Sequence, residues 1–131
     1  MENKGQASTR RQTVLVVDDD PDIRQVVSWA LEDAGFVVHT ASDGQVAVTS
    51  AVTHQPAVVI LDIGLPNVDG TLVAANLRRI CGEQLQILVM TADGRAAEKA
   101  RRAGAFAYLH KPFGDDALIE AVRRGIAQAS P

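Results

Sequence analysis

Four apolar segments of the sequence are each followed by a polar side chain of a kind that takes part in chemistry. They are Val14–Val17 with Asp18 and Asp19, Val58–Leu61 with Asp62, Ile87–Met90 with Thr91, and Phe106–Leu109 with Lys111. A strand that is apolar at every residue is typical of a parallel sheet covered by helices on both faces. Because parallel strands end at the same edge of such a sheet, where ligands bind, we expect these polar side chains to share one crevice.

The expected crevice combines three carboxylates with a lysine and a hydroxyl group. Two unit charges about 4 Å apart repel by roughly 4 kcal/mol at an effective dielectric constant of about 20, so Asp18, Asp19 and Asp62 would destabilise one another. A divalent cation relieves this repulsion, and clustered carboxylate oxygens suit Mg2+. Lys111 can hold an anion, and Thr91 can donate a hydrogen bond. Together these groups predict phosphoryl transfer to Asp62.

The elements that must position these groups alternate between strand and helix. Hydrophobic periodicity and cap residues predict strands at 14–17, 36–41, 58–61, 85–90 and 106–109, and helices at 21–34, 43–54, 71–80, 95–102 and 115–129. Five strand–helix units predict an α/β fold, a doubly wound parallel sheet with right-handed crossovers and helices on both faces. The same periodicity places Val26 and Leu72 on buried helix faces. The alanine-rich helix at 95–102 has few apolar residues to anchor it.

Composition limits the classes of protein that need be considered. The chain has 131 residues, 47% of them hydrophobic, and a net charge of −3, so a single domain with a real core is expected and nucleic acid is not an expected direct partner. One cysteine excludes an internal disulfide and favours a cytoplasmic setting. No apolar run approaches the roughly 20 residues of a membrane span. Residues 1–12 are predicted to be a disordered tail before a domain at 13–131, with no effector domain.

Four motifs resemble those of the receiver domain of bacterial two-component response regulators, over residues 13–129. The motifs are VLVVDDDP at 14–21, ILDIGLPNVDG at 60–70, MTA at 90–92 and HKPF at 110–113. The resemblance, which includes chemotaxis-type single-domain receivers, implies a flavodoxin-like sheet with strand order 2-1-3-4-5. It also implies a signalling domain that catalyses only its own phosphorylation and dephosphorylation.

The resemblance implies a phosphoacceptor and a magnesium site. Asp62 would receive the phosphoryl group from a histidine kinase or a histidine phosphotransfer protein. Mg2+ would be held by Asp19, by Asp62, by the backbone carbonyl of Gly64 and, partly through water, by Asp18. Phosphorylation would then switch a surface that binds a downstream protein target.

Other positions receive a role only through the same resemblance. Lys111 would pair with the phosphoryl group, and Thr91 and Tyr108 would be switch residues. The Lys111–Pro112 bond is similar to a family peptide bond that is usually cis. Gly64 and Asp93 lie where the family varies and tunes loss of the phosphoryl group, so no lifetime of the phosphorylated state is predicted.

Two interpretations of Trp29 remain open. It could pack partly at the edge of its helix, or it could form a partner-docking stripe with Ile23 and Val26 beside the acidic strand end. The two histidines His39 and His54 have no partner of ligand type at metal spacing, so neither is predicted to be functional.

Three other classes of protein share part of this pattern with a receiver domain. A phosphohydrolase of the haloacid-dehalogenase type also uses an aspartate nucleophile, but it normally has a second aspartate where this chain has Gly64. A flavin-binding module would need a phosphate-binding loop after the first strand, where three aspartates would instead repel phosphate. A purely structural relative of the receiver domain would lack one of the key side chains, and none is missing.

Overall fold

The computed structural model describes residues 12–64, 69–92 and 94–129, which form five strands and five helices. The strands are β1 (Thr13–Val17), β2 (Val37–Ala41), β3 (Val58–Asp62), β4 (Gln86–Thr91) and β5 (Ala107–His110). The helices are α1 (Pro21–Asp33), α2 (Gly44–His54), α3 (Gly70–Cys81), α4 (Ala96–Ala103) and α5 (Asp115–Ala129). The predicted tail, apart from Gln12, lies outside the described residues, as does Asp93.

The strands form one parallel sheet in the order β2-β1-β3-β4-β5, which confirms the predicted fold. The central strands β1 and β3 are buried at every residue, and β4 is buried from its second residue onward. This is the burial expected for apolar strands with helices on both faces. The predicted strand and helix positions agree with the structure to within a few residues.

Two apolar layers enclose the sheet, one on each face. Alternate strand residues such as Leu15 and Leu61 pack with α2, α3 and α4 on one face, while Val16 and Ile60 pack with α1 and α5 on the other. Since successive side chains of a strand point to opposite faces, each central strand contributes to both layers. The layers fix the strands firmly, and therefore also the carboxyl ends that form the crevice.

Helix starts are specified by single side chains. Three helices begin after an aspartate whose carboxylate accepts a hydrogen bond from a backbone N–H two or three residues further on: Asp20 for α1, Asp43 for α2 and Asp69 for α3. Such caps typically stabilise a helix by about 1 kcal/mol. In α4, by contrast, the cap residue Arg95 makes no side-chain hydrogen bond to the helix start.

Two buried positions predicted from periodicity are wrong. The side chain of Val26 is 56% exposed and that of Leu72 is 63% exposed. The buried face of α1 is centred on Val27 and Leu31, so Val26, about 100° away around the helix, turns towards solvent. In α3 the buried face is centred on Val73 and Leu77, and Leu72 is displaced from it in the same way.

One close approach fixes the path of the chain after Asp62. A Cβ added at Gly70, the first residue of α3, would lie 2.6 Å from Cδ1 of Ile63 and 3.1 Å from its Cα. Only glycine allows α3 to start so near the end of β3. Among the described residues, no helix is long and apolar enough to cross a membrane.

Candidate phosphoacceptor site

The carboxyl ends of three strands bring a lysine between two carboxylates. Nζ of Lys111 lies 2.8 Å from Oδ2 of Asp18 and 3.2 Å from Oδ2 of Asp62. Asp18 is fully buried and Asp62 is only 7% exposed. Buried charges are stable only when paired, and here one ammonium group bridges two of them.

Backbone hydrogen bonds orient both carboxylates. Asp18 donates its N–H to the carbonyl of Ala41 at 3.1 Å, and its Oδ1 accepts from the N–H of Asp20 at 2.9 Å. Oδ1 of Asp62 accepts from the N–H of Gly64 at 2.9 Å. One oxygen of Asp62 is thus held by the backbone, while the other faces Lys111.

The position of Lys111 depends on the neighbouring strand. Its backbone N–H donates to the carbonyl of Thr91 at 2.8 Å, which extends the pairing of β4 and β5 by one residue. The Lys111–Pro112 peptide bond is cis, as the resemblance implied. The lysine and the threonine are therefore fixed to each other at the edge of the sheet.

Burial and charge shift the pKa values of the two central groups. Burial raises the pKa of Asp62, with a further rise from the charge of Asp18; the Gly64 hydrogen bond and Lys111 lower it by less. Burial alone lowers the pKa of Lys111, but the hydrogen bond to Asp18 and the charges of Asp62 and Asp18 raise it above its usual value. The lysine therefore stays cationic. The raised pKa of Asp62 means that its own negative charge is unfavourable in this buried position beside the charge of Asp18.

The three carboxylates among the four predicted metal ligands come together. Asp18, Asp19 and Asp62 each offer a carboxylate oxygen within 4.8 Å of the others, with Asp19 exposed at the mouth of the crevice. Among the described residues, Lys111 is the ion-pair partner of both Asp18 and Asp62, and an all-oxygen donor set of this kind is what Mg2+ prefers. The residues present therefore fit Mg2+.

The model of the response regulator receiver domain family matches residues 14–123. The chain belongs to this family. It is 40% identical over 120 residues to the transcriptional regulatory protein KdpE of Mycobacterium tuberculosis, and the match covers 88% of this chain and 53% of that protein. The comparisons give no support to the phosphohydrolase alternative.

Further relatives agree on the same assignment. The C4-dicarboxylate transport transcriptional regulatory protein DctD of Pseudomonas aeruginosa is 36% identical over 115 residues, covering 86% of this chain and 25% of that protein. The receiver domain thus spans between 25% and 53% of the length of these curated relatives. Among solved structures, the chemotaxis protein CheY4 of Vibrio cholerae superimposes with a TM-score of 0.78 at 33% identity, covering 86% of this chain and 96% of that one.

The Francisella response regulator 1452 receiver domain is similar to this receiver domain along nearly its whole length. It has a TM-score of 0.80 at 28% identity, and the match covers 91% of this chain and 99% of that one. Receiver domains are signalling domains, and the chain shares their architecture from β1 to α5.

The two predicted switch residues of this receiver domain differ in burial. Thr91 is buried at the end of β4, next to the backbone of Lys111. Tyr108 lies on β5, opposite Val89 of β4, with 48% of its surface exposed. A buried hydroxyl and a half-exposed ring thus lie on adjacent strands.

The three predicted docking residues lie on α1, but they do not share one surface equally. Ile23 and Val26 line a groove of about 460 Å³ together with Lys111 and Phe113. Trp29 is 61% exposed and lies outside the lining of that groove.

Sequence reasoning missed two contacts between distant residues. The rings of His39 and His54 stack with their centroids 3.5 Å apart and their planes 10° apart, whereas from the sequence these histidines were considered only as metal ligands. Arg78 of α3 donates to the backbone of Ala103 and Gly104 at the end of α4. No periodicity or motif marks either contact.

Proposed function

We propose that this chain is the phosphoacceptor of a two-component or phosphorelay system, in which Asp62 receives a phosphoryl group from a histidine kinase or a histidine phosphotransfer protein. The observation that carries the proposal is the crevice in which Lys111 lies between Asp18 and Asp62, with Asp19 within reach of the same point. This arrangement provides a nucleophile, a fixed cation and a set of oxygen ligands in one place.

In the proposed reaction, a carboxylate oxygen of Asp62 attacks the phosphorus of a phosphohistidine. The phosphorus–nitrogen bond breaks, its electron pair returns to the imidazole, and an acyl phosphate forms on Asp62. Lys111 stabilises the incoming phosphoryl oxygens, which carry the charge that develops during transfer. Mg2+, held by Asp18, Asp19, Asp62 and the carbonyl of Gly64, would supply the remaining neutralisation of charge.

The acyl phosphate is lost when water attacks the same phosphorus. Asp62 then leaves as a carboxylate and inorganic phosphate is released, so each cycle consumes the phosphoryl group without acting on another substrate. The domain would in this sense catalyse only its own modification.

Phosphorylation would be read out through Thr91 and Tyr108. The hydroxyl of Thr91 would donate to a phosphoryl oxygen, and the space that it leaves would be filled by the ring of Tyr108. A ligand shifts an equilibrium only through its different affinity for the two states. Here the contacts of Thr91 and Lys111 with the phosphoryl group would provide that difference.

One protein partner would donate the phosphoryl group, and another would respond to the phosphorylated domain. The kinase or phosphotransfer protein would approach over α1, where Ile23 and Val26 line a groove with Lys111 and where Trp29 is exposed further along the helix, and a downstream protein would bind the switched surface. We place this exchange in the cytoplasm. Two relatives are named transcriptional regulatory proteins and extend beyond the matched region, so the expected lack of direct nucleic acid contact concerns this domain alone.

The decisive experiment compares two aspartate variants at opposite ends of the segment between β3 and α3. Asp62→Asn should abolish labelling by a small phosphodonor with Mg2+, because the nucleophile is gone. Asp69→Asn should still accept one phosphoryl group per chain, because asparagine caps a helix nearly as well as aspartate. Intact-mass spectrometry reads both results, and undiminished labelling of Asp62→Asn would refute the assignment.

The docking role of α1 is tested by comparing phosphodonors. Trp29→Ala should slow transfer from the cognate kinase but not from a small phosphodonor, because only the protein needs the helix surface. Leu72→Ala is the matched control, since Leu72 is as exposed as Trp29 but lies on α3. If both phosphodonors are slowed alike by Trp29→Ala, the defect lies in folding and not in docking.

A further inference from the structure

The two ends of α4 are held in different ways. At its start, Arg95 provides no side-chain hydrogen bond to the helix. At its end, the N–H of Gly104 bonds back to the carbonyls of Ala100 and Arg101, and the N–H of Ala105 donates to the carbonyl of Ala100 at 2.9 Å. The end that lies farther along the chain from Thr91 is thus held by three backbone hydrogen bonds.

Arg78 of α3 reinforces the restrained end. Its Nη1 donates to the carbonyl of Ala103 at 2.7 Å, and its Nη2 donates to the carbonyl of Gly104. The last carbonyls of a helix have no partner within it, and a cation there interacts favourably with the helix dipole. The planar guanidinium group provides two parallel donors for the two carbonyls, which a lysine could not do.

Gly104 is adapted to this contact. Its φ of +67° lies in the left-handed region, and a Cβ at this position would lie 2.9 Å from Nη1 of Arg78. The left-handed backbone therefore favours glycine, and a Cβ here would press on the guanidinium group in its present position.

Along its length, α4 is fixed by little apolar surface. Its buried side chains are all alanines: Ala96, Ala100 and Ala103. The helix that carries Arg78 is anchored far better, because α3 begins on the Asp69 cap and buries Val73 and Leu77 in the core. Arg78 therefore connects the C-terminal end of a thinly packed helix to a firmly packed one.

We propose that Arg78 is a positioning residue that fixes the C-terminal end of α4 as a pivot during switching. This rests on the proposed function, in which Thr91 responds to the phosphoryl group. With the far end held by Arg78, the response at Thr91 turns the N-terminal end of α4 instead of displacing the whole helix. The angle of α4 would then carry the signal to the downstream partner.

The first experiment measures amide hydrogen exchange in the unphosphorylated protein, with no phosphoryl chemistry involved. Arg78→Met should speed exchange at Gly104 and Ala105 by about tenfold or more, the factor expected for loss of hydrogen bonds to a charged group. The matched control is Arg79→Met, since Arg79 is the next residue, exposed, and makes only a 3.5 Å contact with Asn76. Equal exchange in both variants would overturn the anchoring role.

The second experiment follows amide resonances when beryllofluoride, a phosphoryl mimic, is added with Mg2+. In wild type the shifts should fall from the first turn of α4 towards Ala103 and Gly104. In Arg78→Met they should be spread evenly along the helix and reach Gly104. Arg78→Lys keeps the charge but loses the paired donors, so it should give an intermediate pattern. This variant takes the place of Arg78→Met in the test if Arg78→Met does not fold.

The outcomes separate the two proposals. The same gradient in wild type, Arg78→Met and Arg78→Lys would overturn the pivot. If wild type shows no response to beryllofluoride, the proposed function fails, and the pivot fails with it, although fast exchange in Arg78→Met would still establish the contact as an anchor of α4.

Discussion

The crevice at Asp62 and the helix α4 lie beside the same strand, β4, but they are stabilised differently. In the crevice, buried charged groups are held by direct pairs and backbone hydrogen bonds, so each atom has a defined partner. In α4, three alanines meet the core and the ion pair between Arg102 and Glu98 is exposed. The proposed phosphoryl transfer would need fixed atoms at one place, while the proposed response would need a helix that moves at low cost.

The largest expected effect comes from removing the cation of the crevice. Lys111→Met should lower the free energy of unfolding by about 3 kcal/mol in chelator, because the buried carboxylates lose their only described cationic partner. Arg102→Met, which removes the exposed pair of α4, should cost less than about 1 kcal/mol. Urea unfolding of both variants checks the contrast, and similar losses would show that the two regions do not differ as described.

A second prediction compares the local stability of α4 with that of α3. Ala97 of α4 and Ala75 of α3 are both exposed, so replacing either by glycine removes helix propensity without creating a cavity. Each change should cost about 1 kcal/mol. In α4 the loss should appear as roughly fivefold faster amide exchange confined to residues 96–103, since a thinly packed helix opens on its own. Ala75→Gly should instead speed amide exchange only as much as it lowers the free energy of unfolding of the whole domain. Faster exchange confined to α3 would contradict the comparison.

A smaller effect, with the opposite sign, is expected from the exposed member of the carboxylate cluster. Asp19→Ala should raise the melting temperature in chelator by roughly 2 °C, because it relieves repulsion at a solvent-exposed position. The same change should weaken Mg2+ binding. In wild type, Mg2+ at a hundredfold excess over its Kd should add about 2.7 kcal/mol of stability. Melting that is indifferent to Mg2+ would exclude a metal site.

The smallest effect on stability is expected from the stacked pair of His39, on the outer strand β2, and His54. Burial lowers the pKa of His39, and the positive charge of the stacked His54 lowers it further. The folded state therefore binds fewer protons than the unfolded state, so this contribution to stability is present above the usual pKa near 6.5 and is lost as the pH falls through the folded value. The loss of stability between about pH 7.5 and 5.5 should be smaller in His39→Gln than in wild type. Parallel curves for the two proteins would show that the stacked pair does not contribute.

Much of the fold could be predicted from sequence because its signals are local and repeated. Consecutive apolar residues marked the buried strands, and aspartates marked the starts of helices. The convergence of Asp18, Asp62 and Lys111 followed from the rule that parallel strands end at one edge. Their roles in phosphoryl transfer remain predictions.

What could not be predicted depends on distances between residues far apart in the chain. The stack of His39 on His54 joins β2 to the end of α2, and the contact of Arg78 with Gly104 joins two helices across 26 positions. Such contacts depend on the exact packing of helices on the sheet, which periodicity does not determine. The exposed positions of Val26 and Leu72 show the same limit, because a shift of the predicted helix face by one residue changes which side chains face the core.

Trp29 has a practical consequence for spectroscopy. It is the only tryptophan in the sequence, and in the folded protein its indole ring is already largely in contact with water. Unfolding therefore changes its surroundings little, and the emission spectrum is a poor measure of denaturation. A molecule that covers α1 would instead remove the ring from water and shift its emission to shorter wavelength. The native fluorescence of this chain is thus a label-free signal for events on that one helix.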